Sequence, residues 1–304
     1  MELTGHTDSA ATKLDILRDA GRIARAARDL GSSLIVPGAL LREVCRAVED
    51  EIMRRGAGLA FPTQTSRNEV AAHYCPGPDD QTRYESGDLA KLDVGVHIDG
   101  WIVDTAVTVN VGGAAEGQAL VDATQAALAV AIRTAGPGVP VQTIAAAIDG
   151  EIRRRGFRPV RNLCGHGVGR WTVHCAPPIP NTPDDTQAVL VPGRVVAIEP
   201  FASDGAGLVV ETGKPEVFQL RGSRLRAGPT ADAEVVDAII QLHGLPFSRR
   251  QLAAFPAERV ERTLRALSKR GLVSYPPLVE PHGRPVTQAE HSLYISETGV
   301  EVLT

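Results

Sequence analysis

Residues 91–109, KLDVGVHIDGWIVDTAVTV, constrain the fold more than any other part of the sequence. Apolar residues alternate on both sides of the Asp-Gly pair at 99–100, a pattern that predicts a β-hairpin with a two-residue type I′ turn. This turn fixes the register and places Gly95 opposite Asp104. Because side chains two residues apart on a strand share a face, Asp93 and Asp104 should project from the same face of the hairpin.

Two carboxylates on one face of an apolar strand pair need an explanation. Burying both as ions without a counter-charge is costly, so Asp93 and Asp104 should share a proton or a cation. The alternative is that one of them lies at the edge of the hairpin and is solvated. The hairpin by itself leaves a metal site and a solvated edge equally open.

The composition describes a globular chain with a sizeable core. It has 304 residues, 43% of them hydrophobic, and a net charge of −4, which is too small for nucleic-acid binding by bulk charge. The sequence shows neither a signal-peptide pattern nor an apolar run long enough to span a membrane, so we expect a soluble, cytoplasmic protein with neither a membrane nor DNA among its partners. Four cysteines without disulfide-framework spacing also fit a reducing cytosol: Cys45, Cys75, Cys164 and Cys175.

A helical segment recurs after one hundred residues. Residues 38–56, GALLREVCRAVEDEIMRRG, align without a gap with residues 138–156, GVPVQTIAAAIDGEIRRRG. A further helix is predicted at about 11–30, ending at Gly31. The repeat predicts one pseudo-symmetric domain of two halves, with its site where the halves meet. Chance similarity of two amphipathic helices is the alternative.

More carboxylates and histidines occur in the second half of the chain. Glu199 ends the apolar run of VPGRVVAIEP, and Glu290 begins the last strand pair. His166 lies between two glycines in a segment read as a Gly-rich loop, and His174 follows a short Trp-Thr-Val strand. Each histidine alone could be a hydrogen-bonded structural residue, and each glutamate could protect a sheet edge.

Together these residues form a chemically coherent set of four carboxylates and one imidazole. Its members are Asp93, Asp104, His166, Glu199 and Glu290. Oxygen-rich ligation with one nitrogen suits Mn²⁺, Co²⁺, Fe²⁺ or Zn²⁺. Four carboxylates exceed what one such ion needs, and they suit two ions bridged by carboxylates, as in dinuclear hydrolases.

The segments that carry this set resemble the methionine aminopeptidases of the pita-bread metallopeptidase family. The matching segments are KLDVGVHIDGWIVDTAVTV, GHGVGRWTVH, VVAIEP and QAEHSLYI. The segment that ends in YPPL resembles the insert of the type 2 members, and the absence of a long charged N-terminal extension favours the archaeal form. The resemblance implies an α+β pita-bread fold, with an antiparallel sheet and flanking helices at 1–214 and 286–304 and a winged-helix-like insert at 215–285.

The resemblance also implies a role for each site residue. Asp93 would chelate one ion, Asp104 and Glu290 would bridge two ions, and His166 and Glu199 would complete the other. Glu199 would in addition carry a proton from the bridging water to the leaving amine. The substrate would be bound by His73, His174, Phe61, Val173 and Tyr275, the last three of which would line the methionine pocket. Cys75 stands where type 2 enzymes usually have threonine.

The implied function is removal of the initiator methionine from nascent proteins whose second residue is small. The cofactors would be two divalent ions of Co, Mn, Fe or Zn. One alternative is an Xaa-Pro aminopeptidase, although such enzymes normally carry a further N-terminal domain. Another is a non-catalytic pita-bread protein that binds RNA or the ribosome through the insert, whose residues 216–286 hold eleven basic against seven acidic residues. The cations proposed for that contact are Arg249, Arg250, Arg259, Arg262, Arg265, Lys269 and Arg270.

Overall fold

Helices flank an antiparallel sheet throughout the part of the chain that the computed structural model describes, residues 10–113, 115, 117–221 and 230–304. The helices are α1 (Ala10–Leu34), α2 (Leu41–Arg54), α3 (Gln118–Thr134), α4 (Val141–Arg154), α5 (Ala233–Ile240) and α6 (Ala257–Ser268), with short 3₁₀ helices at Val111–Gly113 and Arg249–Leu252. The strands of the first half are β1 (Gly58–Leu59), β2 (Gln64–Arg67), β3 (Val70–Ala72), β4 (Leu89–Ile98) and β5 (Trp101–Asn110).

The remaining strands follow α4. They are β6 (Arg158–Pro159), β7 (Cys164–Gly169), β8 (Thr172–Pro180), β9 (Val195–Ile198), β10 (Phe201–Ser203), β11 (Val210–Glu211), β12 (Val217–Leu220), β13 (Leu272–Tyr275), β14 (Leu278–Val279), β15 (Val286–Gln288), β16 (Glu290–Ile295) and β17 (Val300–Val302). The main sheet has nine strands in the order β1-β4-β5-β16-β9-β7-β8, with β2 added to β4 and β17 added to β16. The late strand β16 therefore joins the strands of the first half to those of the second.

The predicted hairpin is confirmed as β4 and β5. Gly95 pairs with Asp104 and Ile98 with Trp101. Asp99 and Gly100 both have positive φ, 50° and 81°, as a type I′ turn requires. The face opposite the aspartates carries buried valines that pack into the core of the first half.

The predicted repeat is present in three dimensions. Helices α2 and α4 begin and end one hundred residues apart, and each packs against its own cluster of buried apolar residues. Gly56 and Gly156 follow these helices with φ of 82° and 88°, a left-handed conformation that ends a helix. Each half thus has a helix pair that covers the strands it feeds.

The predicted end of α1 at Gly31 is wrong, because α1 continues to Leu34. A Cβ at Gly31 would lie 2.5 Å from a methyl group of Val48 and 2.6 Å from one of Leu92. The glycine is therefore needed for close packing of α1 on its neighbours rather than as a stop.

The segment around His166, read as a Gly-rich loop, is instead the strand β7. Its glycines allow the backbones of the neighbouring strands to approach closely inside the sheet. A Cβ at Gly165 would lie 2.3 Å from the Ala197 carbonyl oxygen, and one at Gly167 would lie 2.3 Å from that of Ala176. His166 is consequently held in register between β8 and β9.

The insert has an apolar cluster of its own, formed by residues of β12, α5 and α6 such as Phe218, Val235 and Leu264, together with Phe247 from the segment between α5 and α6. The division into 1–214, 215–285 and 286–304, and the winged-helix character of the insert, stay predictions. Their parts at 1–9 and 222–229 lie outside the described residues. In the described ranges, none of the helices has the length and apolar composition needed to cross a membrane.

Several arginines proposed for phosphate contact are engaged in ion pairs. Arg249 binds Glu216 and Glu261, and Arg259 binds Asp232 at 2.7 Å. Arg250 binds Glu49, a residue of α2. These three guanidinium groups already have carboxylate partners, whereas Arg265 and Lys269 are exposed.

Candidate metal centre

Strand order brings the predicted ligands to the middle of the main sheet. Glu290 opens β16, where it lies opposite Ala106 of β5. On its other side β16 pairs with β9, and Glu199 directly follows β9. The two glutamates therefore meet the hairpin aspartates where the two halves of the chain join.

All of the predicted site residues line one cavity of about 260 Å³. They are Phe61, His73, Asp93, Asp104, His166, Val173, His174, Glu199, Tyr275 and Glu290. The cavity combines charged groups with apolar and aromatic walls, a composition typical of a small-ligand site. Its lining thus brings the whole predicted set together, while the role of each residue stays a prediction.

The imidazole of His166 faces two carboxylates. Its Nε2 lies 3.4 Å from Glu199 Oε1 and 3.8 Å from Asp104 Oδ2. Its Nδ1 lies 3.1 Å from the Gly167 carbonyl oxygen, which can only accept, so Nδ1 carries the proton. The lone pair of Nε2 is therefore directed at the carboxylates, as in a metal-ligating histidine whose other nitrogen is held by a hydrogen bond.

Three carboxylates in the cavity each have a buried oxygen without a hydrogen-bond partner in the described part of the chain. These atoms are Asp93 Oδ1, Asp104 Oδ1 and Glu290 Oε1. One ligand atom from each of Asp104, His166 and Glu290 lies within 4.8 Å of the others. Unpartnered buried acceptors are rare in proteins and indicate a missing donor or cation. The residues present therefore fit a divalent metal ion.

Burial and mutual repulsion dominate the electrostatics of these carboxylates. Burial, followed by neighbouring carboxylates, raises the pKa values of Asp104, Glu199 and Glu290 well above their usual range. Burial raises the pKa of Asp93 to about 7. Burial, with the neighbouring His174, lowers the pKa of His166 to about 3, so its imidazole is neutral. A cation in the cavity would offset the repulsion and favour the ionised carboxylates.

Two further histidines flank this cluster. The ring of His174 lies 4.2 Å from that of His166, and the ring of His73 lies 5.8 Å from that of Tyr275 in an edge-to-face arrangement. Burial lowers the pKa of His73 to about 4, so this side chain is a neutral hydrogen-bonding group near pH 7. Its φ of 65° is uncommon outside glycine, and such conformations cluster at functional sites.

Sequence reasoning assigned no role to Gln288 and overlooked Gln64. The amide Nε2 of Gln288 lies 3.3 Å from Glu199 Oε2 and 3.4 Å from Glu290 Oε2. The sequence feature that could have identified Gln288 was its position two residues before Glu290. Gln64 lines the cavity, and only the pairing of β2 with β4, which sets it opposite Asp93, could have revealed it.

Comparison with known proteins gives a consistent assignment. The sequence profile of metallopeptidase family M24 matches residues 15–226. The methionine aminopeptidase of Pyrococcus horikoshii is 42% identical over 298 residues, which cover 96% of this chain and 99% of the relative.

Solved structures share the fold. The methionine aminopeptidase of Thermotoga maritima superimposes with a TM-score of 0.71 at 25% identity, covering 96% of each chain. A thermophilic Arx1 superimposes with a TM-score of 0.84 at 18% identity, covering 95% of this chain and 91% of the other. These likenesses confirm the predicted α+β pita-bread architecture.

Proposed function

The chain belongs to metallopeptidase family M24 and, within it, to the methionine aminopeptidases, and we propose that it removes the N-terminal methionine from newly made proteins by metal-dependent hydrolysis. The observation that carries this proposal is the group of unpartnered buried carboxylate oxygens beside the neutral His166, in a cavity with apolar walls. We place this activity in the cytoplasm, where nascent proteins have their N-termini exposed.

We propose that two divalent ions bind here, with Co, Mn, Fe and Zn as the candidates. Asp93, Asp104, His166, Glu199 and Glu290 would hold them, because hard to borderline ions suit this mixture of oxygen and nitrogen donors. When bound, such ions supply Lewis acidity and lower the pKa of water toward about 7.

Glu199 is the proposed proton carrier. Its Oε1 faces the centre, beside His166 Nε2, and burial raises the pKa of its carboxyl group. A carboxyl group held beside the reacting atoms is a common general acid–base group in catalysis. In our proposal Glu199 takes a proton from the attacking water and delivers it to the nitrogen of the leaving amine. The neutral imidazoles of His73 and His174 then donate hydrogen bonds to the substrate carbonyl oxygen.

The apolar part of the cavity would bind the methionine side chain. Phe61 and Val173 are 5% and 3% exposed. The hydroxyl of Tyr275 donates a hydrogen bond to Gln219 Oε1 at 2.6 Å, which fixes the orientation of its ring. A pocket of this kind discriminates between substrate side chains by their shape. One methylene group changes the binding free energy by about 1–3 kcal/mol.

Hydrolysis of Met-Ala-Ser by purified protein, with metal content measured, tests the proposed function. We expect activity that depends on added Mn²⁺, Co²⁺ or Fe²⁺ under anaerobic reducing conditions. His166→Ala should lose at least about 100-fold, because even the loss of a residue that supports a metal ligand typically costs about 10–100-fold. His243→Ala is the matched control, since His243 is exposed and lies against Trp171. Wild-type protein that binds metal but leaves Met-Ala-Ser intact would contradict the proposal, and cleavage of Xaa-Pro peptides instead would support the alternative peptidase.

We also propose a transient contact of the insert with the ribosome. Arg265 and Lys269 are the exposed cations suited to it, since Arg265 lies on α6 and Lys269 directly follows its last residue. Because phosphate contacts depend on salt, replacing both residues with glutamate should weaken co-sedimentation with ribosomes at low salt and leave Met-Ala-Ser hydrolysis unchanged. Equal co-sedimentation of the variant and the wild type would remove this role from the insert.

A further inference from the structure

Arg250 differs from the other charged residues of the insert because it is buried against the catalytic part of the chain. Its side chain is 10% exposed, and its Nη2 donates to Glu49 Oε1 at 2.5 Å. Glu49 belongs to α2, and its side chain is 8% exposed. This ion pair joins residues 201 positions apart, so the insert is tied to the first half of the chain through a desolvated contact.

The same guanidinium group holds two separate backbone segments. Its Nη2 donates to the Thr63 carbonyl oxygen at 3.2 Å, and its Nη1 donates to the Pro76 carbonyl oxygen and lies 3.1 Å from Cys75 Sγ. Glu49 Oε1 accepts a hydrogen bond from the Thr63 amide at 2.9 Å. One ion pair thus fixes both the segment at 61–64 and the segment at 73–76.

These two segments form walls of the cavity described above. The first carries Phe61 and Gln64, and the second begins with His73. The amide of Thr65, which directly follows the first segment, donates to the Tyr74 carbonyl oxygen at 2.9 Å and so links the two segments to each other. Any shift of the Arg250 guanidinium group therefore moves residues that face the proposed methionine side chain.

We propose that Arg250 is a positioning residue which, paired with Glu49, sets the width of the methionine pocket and so makes the insert a determinant of selectivity for the first substrate residue. This inference rests on the proposed function for the identity of the side chain that is selected. The planar guanidinium group is required because only a rigid fork reaches Glu49 and both segments at once, which a lysine ammonium cannot do. Cys75, which stands where type 2 enzymes usually have threonine, belongs to this support.

The first test compares Arg250→Lys with Arg249→Lys, using kcat/KM for Met-Ala-Ser and Leu-Ala-Ser. Arg249 is the matched control, because its carboxylate partners Glu216 and Glu261 both lie in the insert. We expect Arg250→Lys to lower kcat/KM for Met-Ala-Ser by about 10–100-fold, because the residues that line the pocket would be displaced. The ratio of the two kcat/KM values should fall by about 5-fold or more, and Arg249→Lys should leave that ratio unchanged.

A purely structural role gives a different result. Loss of folded protein lowers kcat/KM for both peptides by the same factor, so an unchanged ratio in an active variant overturns the proposal. If Arg250→Lys does not fold, the double variant Glu49→Leu/Arg250→Met replaces the ion pair with apolar groups, a change that buried pairs often tolerate. The ratio should fall in this variant as well.

Amide hydrogen exchange separates this proposal from the proposed function. Exchange at Thr63, Thr65, Tyr74 and Cys75 should be at least about 10-fold faster in Arg250→Lys than in wild type, with no change in Arg249→Lys. This measurement needs no catalysis. If wild-type protein cleaves neither peptide, the proposed function fails while the exchange rates still decide whether Arg250 holds the two segments. Unchanged exchange at these amides overturns the positioning role.

Discussion

Glu199→Gln should lower kcat for Met-Ala-Ser by about 10²–10⁴-fold, the usual contribution of a general acid–base group. Glutamine keeps the shape and the oxygen of the side chain but cannot carry a proton between water and the leaving amine. The Gln288 amide, 3.3 Å from Glu199 Oε2 in the wild type, still has an oxygen as its acceptor in one orientation of the new amide. The measurement is kcat and metal content on the same preparation.

Glu211→Gln is the matched control, because it makes the same chemical change at an exposed carboxylate. It should leave kcat within about 2-fold of wild type, as expected for a surface change. A Glu199→Gln enzyme that retains its metal and its kcat would show that another group carries the proton. A variant that loses metal as well would show that Glu199 acts mainly as a ligand.

Sequence alone predicted the features that local rules determine. The register of β4 and β5 follows from the Asp-Gly turn and the alternation around it, so the shared face of Asp93 and Asp104 was predictable. The helix pair repeats after one hundred residues because both copies have the same apolar spacing. The family's motifs then identified the same cavity-lining residues that the strand order brings together.

Contacts between distant parts of the chain could not be predicted in this way. Gly31 looks like a helix stop in sequence, yet the Val48 and Leu92 side chains need the space that a Cβ would fill. Arg250 looks like a surface cation, yet its partner Glu49 lies 201 residues away. Both depend on tertiary packing, which overrides local propensity and leaves no periodic signal in the sequence.

The same packing gives the carboxylate cluster of metal-free protein an unusual pH dependence in its contribution to stability. Burial gives the cluster carboxylates pKa values above those of the unfolded chain, from the ordinary 3.8 to about 7 for Asp93. Between these values the folded protein holds carboxyl protons that the unfolded chain has released, so the contribution of these carboxylates to the free energy of unfolding falls as pH rises. His166 and His73, whose pKa values are lowered, contribute in the opposite direction. In chelator-treated protein, the Tm of Asp104→Asn should therefore exceed that of the wild type by a margin that grows by about 5 °C from pH 5 to pH 8, since 1 kcal/mol corresponds to roughly 2–4 °C.

Bound metal should remove this loss of stability, because a cation favours the ionised forms of the carboxylates. At pH 7.5, Mn²⁺ at about 100 times its Kd should raise the free energy of unfolding by about 2.7 kcal/mol. His166→Ala separates the two effects, because it keeps the mutually repelling carboxylates but should lose most of the gain from metal. Asp104→Asn removes one of the repelling charges and should raise the Tm of chelator-treated protein at pH 7.5. A Tm advantage of Asp104→Asn that does not grow between pH 5 and pH 8 would contradict this account, because it would mean that the cluster carboxylates are already paired without a cation.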